Sequence, residues 1–493
     1  MASEKGLTIE DIDLVFVFAF DLGAKVDVKE LGEAFANKYP IVEARWHPPE
    51  KPRFTLHPLY SSIIIIDRVA LDPMYLELSR YARLKLVEHE ADVVNSDMGK
   101  IVKKFKIEPY LLIHNTGIGV VTAWINLKGN FTTDDIITFE NRIDEIKLNI
   151  KDAFGKQYKS VTLGEFIYSA IANPLQRIVK GSKELRDAIV TSHVIAGVRE
   201  VKCGDRCFTA GDIVKGHVKE IAGILTRAER WRDFRNDAAE ENLGRNLSYF
   251  ERYAMYLTLG ASLFLGSPKL KEEIEEKVSK SPLDKDTAFR LPMLGLVTPI
   301  EFLMLSVKIL DVYDSFFRKR REDFQERKRR GKAVNPSEYM ELRSELTEAL
   351  EEYRNVEFFT RDPSRSILGY GKEVYRLAER VDVLRSALDE LAELARTHYE
   401  ERFAKSQLVL TVVFGIFGIF AEIEFLEKLV GLQWALAGAA MTALALVLFY
   451  RWYMGRPYKK FWPLRQSVGE QKTQMQVRQP PRKKLKSEER PQL

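Results

Sequence analysis

Cysteine is nearly absent from this chain, with only Cys203 and Cys207 among 493 residues. That excludes the disulfide framework of small secreted folds. Histidine is sparse as well: seven residues, scattered, with no Ser/His/Asp or Cys/His order. No catalytic constellation emerges, so the chain reads as a non-enzyme. The run Cys203-Gly204-Asp205-Arg206-Cys207 is half a zinc site with no second pair to complete it. A local disulfide and two unlinked thiols both stay open. A dominant charge sign is missing too: 76 basic and 71 acidic residues leave +5, too balanced to mark a nucleic-acid binder. The first residues, MASEKGLTIED, lack the basic and apolar regions of a signal peptide.

What is present is unevenly placed. From Ser406 to Ala421 no residue is charged (SQLVLTVVFGIFGIFA), and a second charge-free run covers Leu432 to Tyr450 (LQWALAGAAMTALALVLFY). Roughly 20 helical residues cross a hydrocarbon core of about 30 Å. The second run reaches that length alone, and the first does so if it continues to Leu426. Arg451, Arg456, Lys459 and Lys460 follow the second run among Trp452, Tyr453 and Tyr458, whereas the connection carries Glu422, Glu424 and Glu427. Positive residues gather on the cytoplasmic side and aromatics at the interface. The expected topology is therefore a hairpin in the plasma membrane with both chain ends cytoplasmic. From Arg451 onward 12 basic residues oppose three acidic ones. That tail suits anionic lipid headgroups and should be disordered; a passive solvated tail is the other reading.

Upstream of the first run, Val374, Leu377, Val381, Leu384, Leu388, Leu391, Ala395 and His398 alternate spacings of three and four, a coiled-coil seam. No proline or glycine falls between Lys372 and Phe414, so one helix is expected over about 372–426. On the first span, Gln407, Thr411, Gly415, Gly418 and Glu422 fall on one narrow face. Such a stripe lines a water-filled pore in an oligomer or lets another helix approach closely, and both remain open.

This arrangement resembles the CorA-type divalent-cation channels: a large cytoplasmic α/β domain, a long stalk helix running into the first span, a short external loop and a second span with a basic end. The family signature Gly-Met-Asn is absent, and the corresponding stretch reads GIFGIFAEIEF. The resemblance implies a homo-oligomer, a pentamer in that family, with a divalent cation such as Mg²⁺ as permeant or regulatory ion and no resident cofactor. Gln407, Thr411, Gly415, Gly418 and Glu422 would line the pore. Glu422 and Glu424 would attract cations at the outer mouth, as carboxylate rings do elsewhere. Arg451, Trp452, Arg456, Lys459 and Lys460 would anchor the inner membrane face. The alternative is a membrane-anchored ligand-sensing or scaffold protein without conduction.

The rest of the chain predicts an α+β protein with an α/β-type N-terminal domain. Asp13–Phe20, Tyr60–Ile66 and Ile189–Val201 read as strands, Val28–Asn37 as a helix, and Glu108–His114 with Gly119–Leu127 as a hairpin about Asn115-Thr116-Gly117-Ile118. Asp134–Ala153, Ala210–Arg227, Asn242–Leu265 and Thr298–Arg330 read as helical. Leu291–Leu310 is apolar enough to span a membrane, but Pro292, Pro299, Glu301 and Lys308 favour a buried core helix. Gly369-Tyr370-Gly371-Lys372 lacks P-loop spacing and is expected to turn the chain into the stalk. Arg318–Lys332 holds nine basic residues against three acidic, a solvated helix end or a surface for nucleic acid, nucleotide or membrane; no nucleic-acid module accompanies it. The expected organisation is an α/β domain over 1–205, a helical region over 206–335, a helical stalk over 336–405, a transmembrane hairpin over 406–452 (spans about 406–426 and 432–452) and a basic tail over 453–493.

Overall fold

β1 (Thr8–Asp21) is central because both of its faces are apolar. Phe16, Phe18 and Phe20 enter one core, Val15 and Val17 another, and all five are buried. A strand covered on both sides carries a continuous hydrophobic run, as Asp13–Phe20 does. The computed structural model describes residues 6–39, 41–46, 63, 80–94, 98–151, 155–179, 189–203, 207–280, 283–330, 344, 347, 364–430 and eight residues within 437–448.

β1 pairs antiparallel with β6 (Ile118–Thr132) on one side and β9 (His193–Lys202) on the other. Beyond β9 come β11 (Ala261–Gly266), parallel to it, and then β10 (Tyr253–Thr258). Beyond β6 comes β5 (Lys104–His114), which is shared. Its first residues pair with β4 (His89–Val93) and its last with β3 (Tyr81–Leu86). β2 (Val42–Trp46) extends β3, while β7 (Leu148–Lys151) and β8 (Gln157–Val161) extend β4. The result is an 11-stranded mixed sheet.

One face of this sheet is covered by short amphipathic helices. They are α1 (Val28–Lys38), α2 (Thr133–Arg142), α3 (Leu163–Ile167, prolonged by a π-helical turn over Tyr168–Ala172), α4 (Ala210–Gly216), α5 (Val218–Thr226) and α6 (Asn236–Leu243). The core beneath them is almost wholly apolar. Thr132, Thr162 and Thr209 start α2, α3 and α4 through reciprocal capping boxes with Asp135, Glu165 and Asp212. The other face is covered by α7 (Pro268–Lys280), by the 45-residue α8 (Lys285–Arg329) and by α9 (Ser364–Val374). A last helix, α10, runs from Leu377 to Val430. Two compact units divide the chain, Met1–Glu393 and Leu394–Leu493, and the boundary falls inside α10.

The hairpin about Asn115–Ile118 forms as the sequence predicts. Gly117 has φ +83°, and a Cβ placed on it would lie 2.0 Å from the carbonyl oxygen of Ala24. That approach is to backbone, which cannot swing aside. Gly117→Ala is therefore expected to destabilise the sheet unit by about 1–3 kcal/mol, read as a lower unfolding midpoint. An unchanged midpoint would remove this account of the turn.

Four expectations need correction. Asn242–Leu265 is not one helix: Tyr253–Thr258 and Ala261–Gly266 are strands joined by Leu259-Gly260, with Gly260 at φ +82°. Both faces of these strands are buried, so their apolar residues show no period of two. Asp134–Ala153 is helical only to Arg142, and Leu148–Lys151 is a strand. Gly369–Lys372 lies inside α9 rather than in a turn, where Gly371 lets Leu303 of α8 approach to 2.5 Å from the place of a Cβ. The long helix begins at Leu377 and not at 372, because Tyr375-Arg376 interrupts it with Arg376 at φ +50°. Of Tyr60–Ile66 only Ile63 is described, and it is helical and buried; the remainder lies outside the described residues. As the sequence predicts, Leu291–Leu310 is part of a buried core helix, α8.

Candidate functional site: the joint between sheet and long helix

Polar chemistry in the described residues concentrates on the α8 face of the sheet. Asp13 of β1, fully buried, lies between two guanidinium groups: Arg199 of β9, in close contact, and Arg290 of α8, whose Nη2 is 3.1 Å from Oδ1. Arg290 also reaches Glu108 of β5 at 2.8 Å, and Arg199 reaches Asp286 at 2.9 Å. Burial alone would lower the Arg290 pKa, but Asp13 and Glu108 outweigh it and hold the group charged. Further along α8, Glu301 meets Arg83 of β3 at 2.7 Å and accepts from the Thr122 hydroxyl at 2.6 Å. These buried charges fix the position of α8 on the sheet rather than merely covering it.

The joint to α10 is uncharged. The Tyr375 hydroxyl, between α9 and α10, accepts from the Gly260 backbone N–H at 2.9 Å and lies 2.8 Å from Nδ1 of His193. The hydroxyl and Nδ1 share one hydrogen bond, whose direction follows the ring tautomer. On its other side Nε2 lies 2.6 Å from the Ser262 Oγ. Burial, helped by Arg227, pushes the His193 pKa down to about 3, and burial pushes Tyr375 up to about 12. The order Ser262–His193–Tyr375 imitates a hydrolytic dyad with an orienting group. Both Ser262 and His193 are sealed from solvent, so no substrate reaches the serine oxygen.

Beyond the joint, Leu377, Val381 and Leu384 of α10 are buried in the core that holds Ile309, Leu310 and Phe317 of α8. The described start of the heptad seam thus packs within the chain. Arg380 pairs with Asp311, and Arg321 with Glu390 at 3.0 Å. The second pair is ten residues further along both helices than the first, so α8 and α10 run parallel here. The basic run from Arg318 to Arg329 is the C-terminal part of α8; Arg318 pairs with Asp314, and Arg330, just past the helix end, pairs with Glu326. Lys332 lies outside the described residues.

The residues singled out on the first span all belong to α10. Gln407, Thr411 and Gly418 are exposed and Gly415 half-exposed; the Thr411 hydroxyl donates to the Gln407 carbonyl at 2.8 Å. Glu422 and Glu424 are helical, and their side chains lie outside what is described, as do Arg451, Trp452, Arg456, Lys459, Lys460 and the tail. The described residues of the second run, between Ala437 and Leu448, are helical. Among the described residues, the helix long and apolar enough to cross a membrane is α8, already buried in its own unit, while Ser406–Gly415 is a shorter apolar stretch. No group of three metal-ligating side chains occurs among the described residues. Cys203 and Cys207 are unlinked; burial and a hydrogen bond to Cys207 push the Cys203 thiol up to about 12. Tyr375, Arg376 and His193 carry no sequence signal of a joint, since no glycine or proline marks the break. Comparison with protein families, with curated proteins and with solved structures returns no match.

Proposed function

We propose that this chain is a homo-oligomeric membrane protein of the CorA-like arrangement, a cation channel or transporter whose first span, from about residue 406, lines the ion pathway. The observation that supports it most is the state of α10 over residues 406–418. None of the described residues there is buried, and Val409, Leu410, Phe414 and Phe417 are each more than half exposed. Burying such a side chain is worth about 1.5–3 kcal/mol, so a helix this apolar requires lipid or a partner helix around it. The Gln407–Thr411–Gly415–Gly418 stripe supplies small and polar groups on one face for an axis. An added Cβ at Gly418 meets no atom within 4 Å, which leaves room for close approach. Thr411, donating its proton backward to Gln407, keeps its oxygen lone pairs outward for a hydrated divalent cation such as Mg²⁺. Glu422 and Glu424 attract the cation at the outer mouth, and the sheet unit regulates the pathway through α10.

The test is cation flux into liposomes containing the purified full chain. Glu422→Gln and Thr411→Val should each lower flux by about tenfold, the scale of one lost charge-assisted ligand at about 1.4 kcal/mol. Flux unchanged in both variants would remove the stripe as a pathway. The missing Gly-Met-Asn signature favours a second reading, a membrane-anchored sensor or scaffold. Liposomes that incorporate the chain without any flux would select it.

A further inference from the structure

Arg376 has φ +50°, a left-handed conformation that costs a residue with a Cβ about 1 kcal/mol or more. It stands where α9 ends and α10 begins, so something must hold the chain there. Its own side chain does not: it is exposed and reaches Glu379 only at 3.9 Å. The hold comes from the preceding residue, through the Tyr375 hydroxyl on Gly260 N–H and His193 Nδ1, with His193 backed by Ser262. Two neutral hydrogen bonds thus tie a strained backbone step to the sheet, and a third holds His193 in place, beside an α8 face that is otherwise secured by buried ion pairs.

We propose that Tyr375-Arg376 is a hinge between α9 and α10, latched by the Tyr375 hydroxyl, and that releasing the latch takes up a proton at His193. In the latched form both ring nitrogens are engaged and the ring is buried. The groups facing it are the Ser262 hydroxyl from β11, the Tyr375 hydroxyl from the hinge and the guanidinium of Arg227 at the end of α5; its neighbour across β1, Val17, does not titrate. Protonation there is opposed by burial and then by Arg227, which is why the ring stays neutral down to about pH 3. When Tyr375 leaves, Nδ1 loses its partner and meets water, and the ring regains its ordinary affinity for a proton near pH 6.5. The proton binds at the ring nitrogen that carries none, and no covalent bond is broken. The open form therefore gains about tenfold in population for each pH unit below about 6.5. Opening also frees Arg376 from its left-handed conformation, which lowers the work of release. This device resides in His193, Gly260, Ser262, Tyr375 and Arg376 and does not depend on any ion pathway.

Hydrogen–deuterium exchange on the full chain, corrected for intrinsic rates, tests it. Protection over residues 377–388 should fall about tenfold per pH unit from 6.5 to 5, while β1 and β6 keep theirs. Tyr375→Phe removes both hydroxyl bonds and should speed exchange over 377–388 at least about tenfold at every pH. His193→Gln should abolish the pH dependence, and Ser262→Ala, which leaves the latch bond, should retain it. If the wild-type segment shows no pH dependence of its own, or if Tyr375→Phe loosens β1 and β6 equally, the hinge is wrong. The wild-type pH series decides the matter even where a variant does not fold.

Discussion

Asp13→Ala is expected to destabilise the sheet unit by about 3–5 kcal/mol. The carboxylate is fully buried and serves two guanidinium groups at once, Arg199 from β9 and Arg290 from α8. Removing it leaves two buried positive charges facing one another, and Glu108 and Asp286 already hold the far ends of both. Arg290 also lies over the Trp124 ring and Arg199 over the Phe289 ring, so neither can turn out to water without uncovering aromatic surface. The double variant Asp13→Leu, Arg290→Met should lose less than Asp13→Ala alone, since it removes a charge together with its partner. Chemical unfolding of the full chain in detergent measures both. A loss below about 1 kcal/mol for Asp13→Ala would show that the cluster behaves as an exposed pair and does not anchor α8.

Glu140→Gln should do the opposite at neutral pH. Glu140 of α2 is buried in the apolar layer, and its Oε2 has no hydrogen-bond partner among the described residues. Burial, only partly offset by Arg227, pushes its pKa from 4.5 up to about 8. The folded protein therefore holds the proton more tightly than the unfolded chain. The contribution of this group is fully present below about pH 4.5 and is lost as pH rises toward about 8. Each pH unit in that window removes about 1.4 kcal/mol. Glutamine cannot ionise, so the variant should show a flat profile there and exceed the wild type by a few kcal/mol at pH 8. Unfolding midpoints at pH 5, 6.5 and 8 give the answer. Parallel profiles for the two proteins would mean that Glu140 is ionised in the folded state.

Much of the sheet was legible in the residues themselves. β1, β9 and the β5–β6 hairpin each carry long β-branched and aromatic runs, and Asn115-Thr116-Gly117 marks the turn. Elements were misread where both faces are buried. In Tyr253–Thr258 and Ala261–Gly266 every side chain but that of Thr258 is buried, and an apolar residue on each face erases the alternation that distinguishes a strand. The end of α2 was missed for another reason: Leu148–Lys151 is short and obtains its ladder from β4, far away in sequence. The Thr132 and Thr209 capping boxes, by contrast, were present to be read at the starts of α2 and α4.

The candidate joint could not have been read at all. Tyr375 meets His193 and Gly260, 182 and 115 positions earlier, and only the parallel pairing of β11 with β9 sets those two side by side. By itself the sequence determined where charge is absent, which stretches are long and apolar, and that Asp13–Phe20 and the hairpin about Asn115–Ile118 are extended, because composition and local period depend on neighbours in the chain. The tertiary structure alone decided that Asp13, Arg199 and Arg290 share one buried site and that a neutral histidine holds the start of α10. Those arrangements depend on which distant strands become neighbours, and long-range pairing leaves no local trace in the residues that take part.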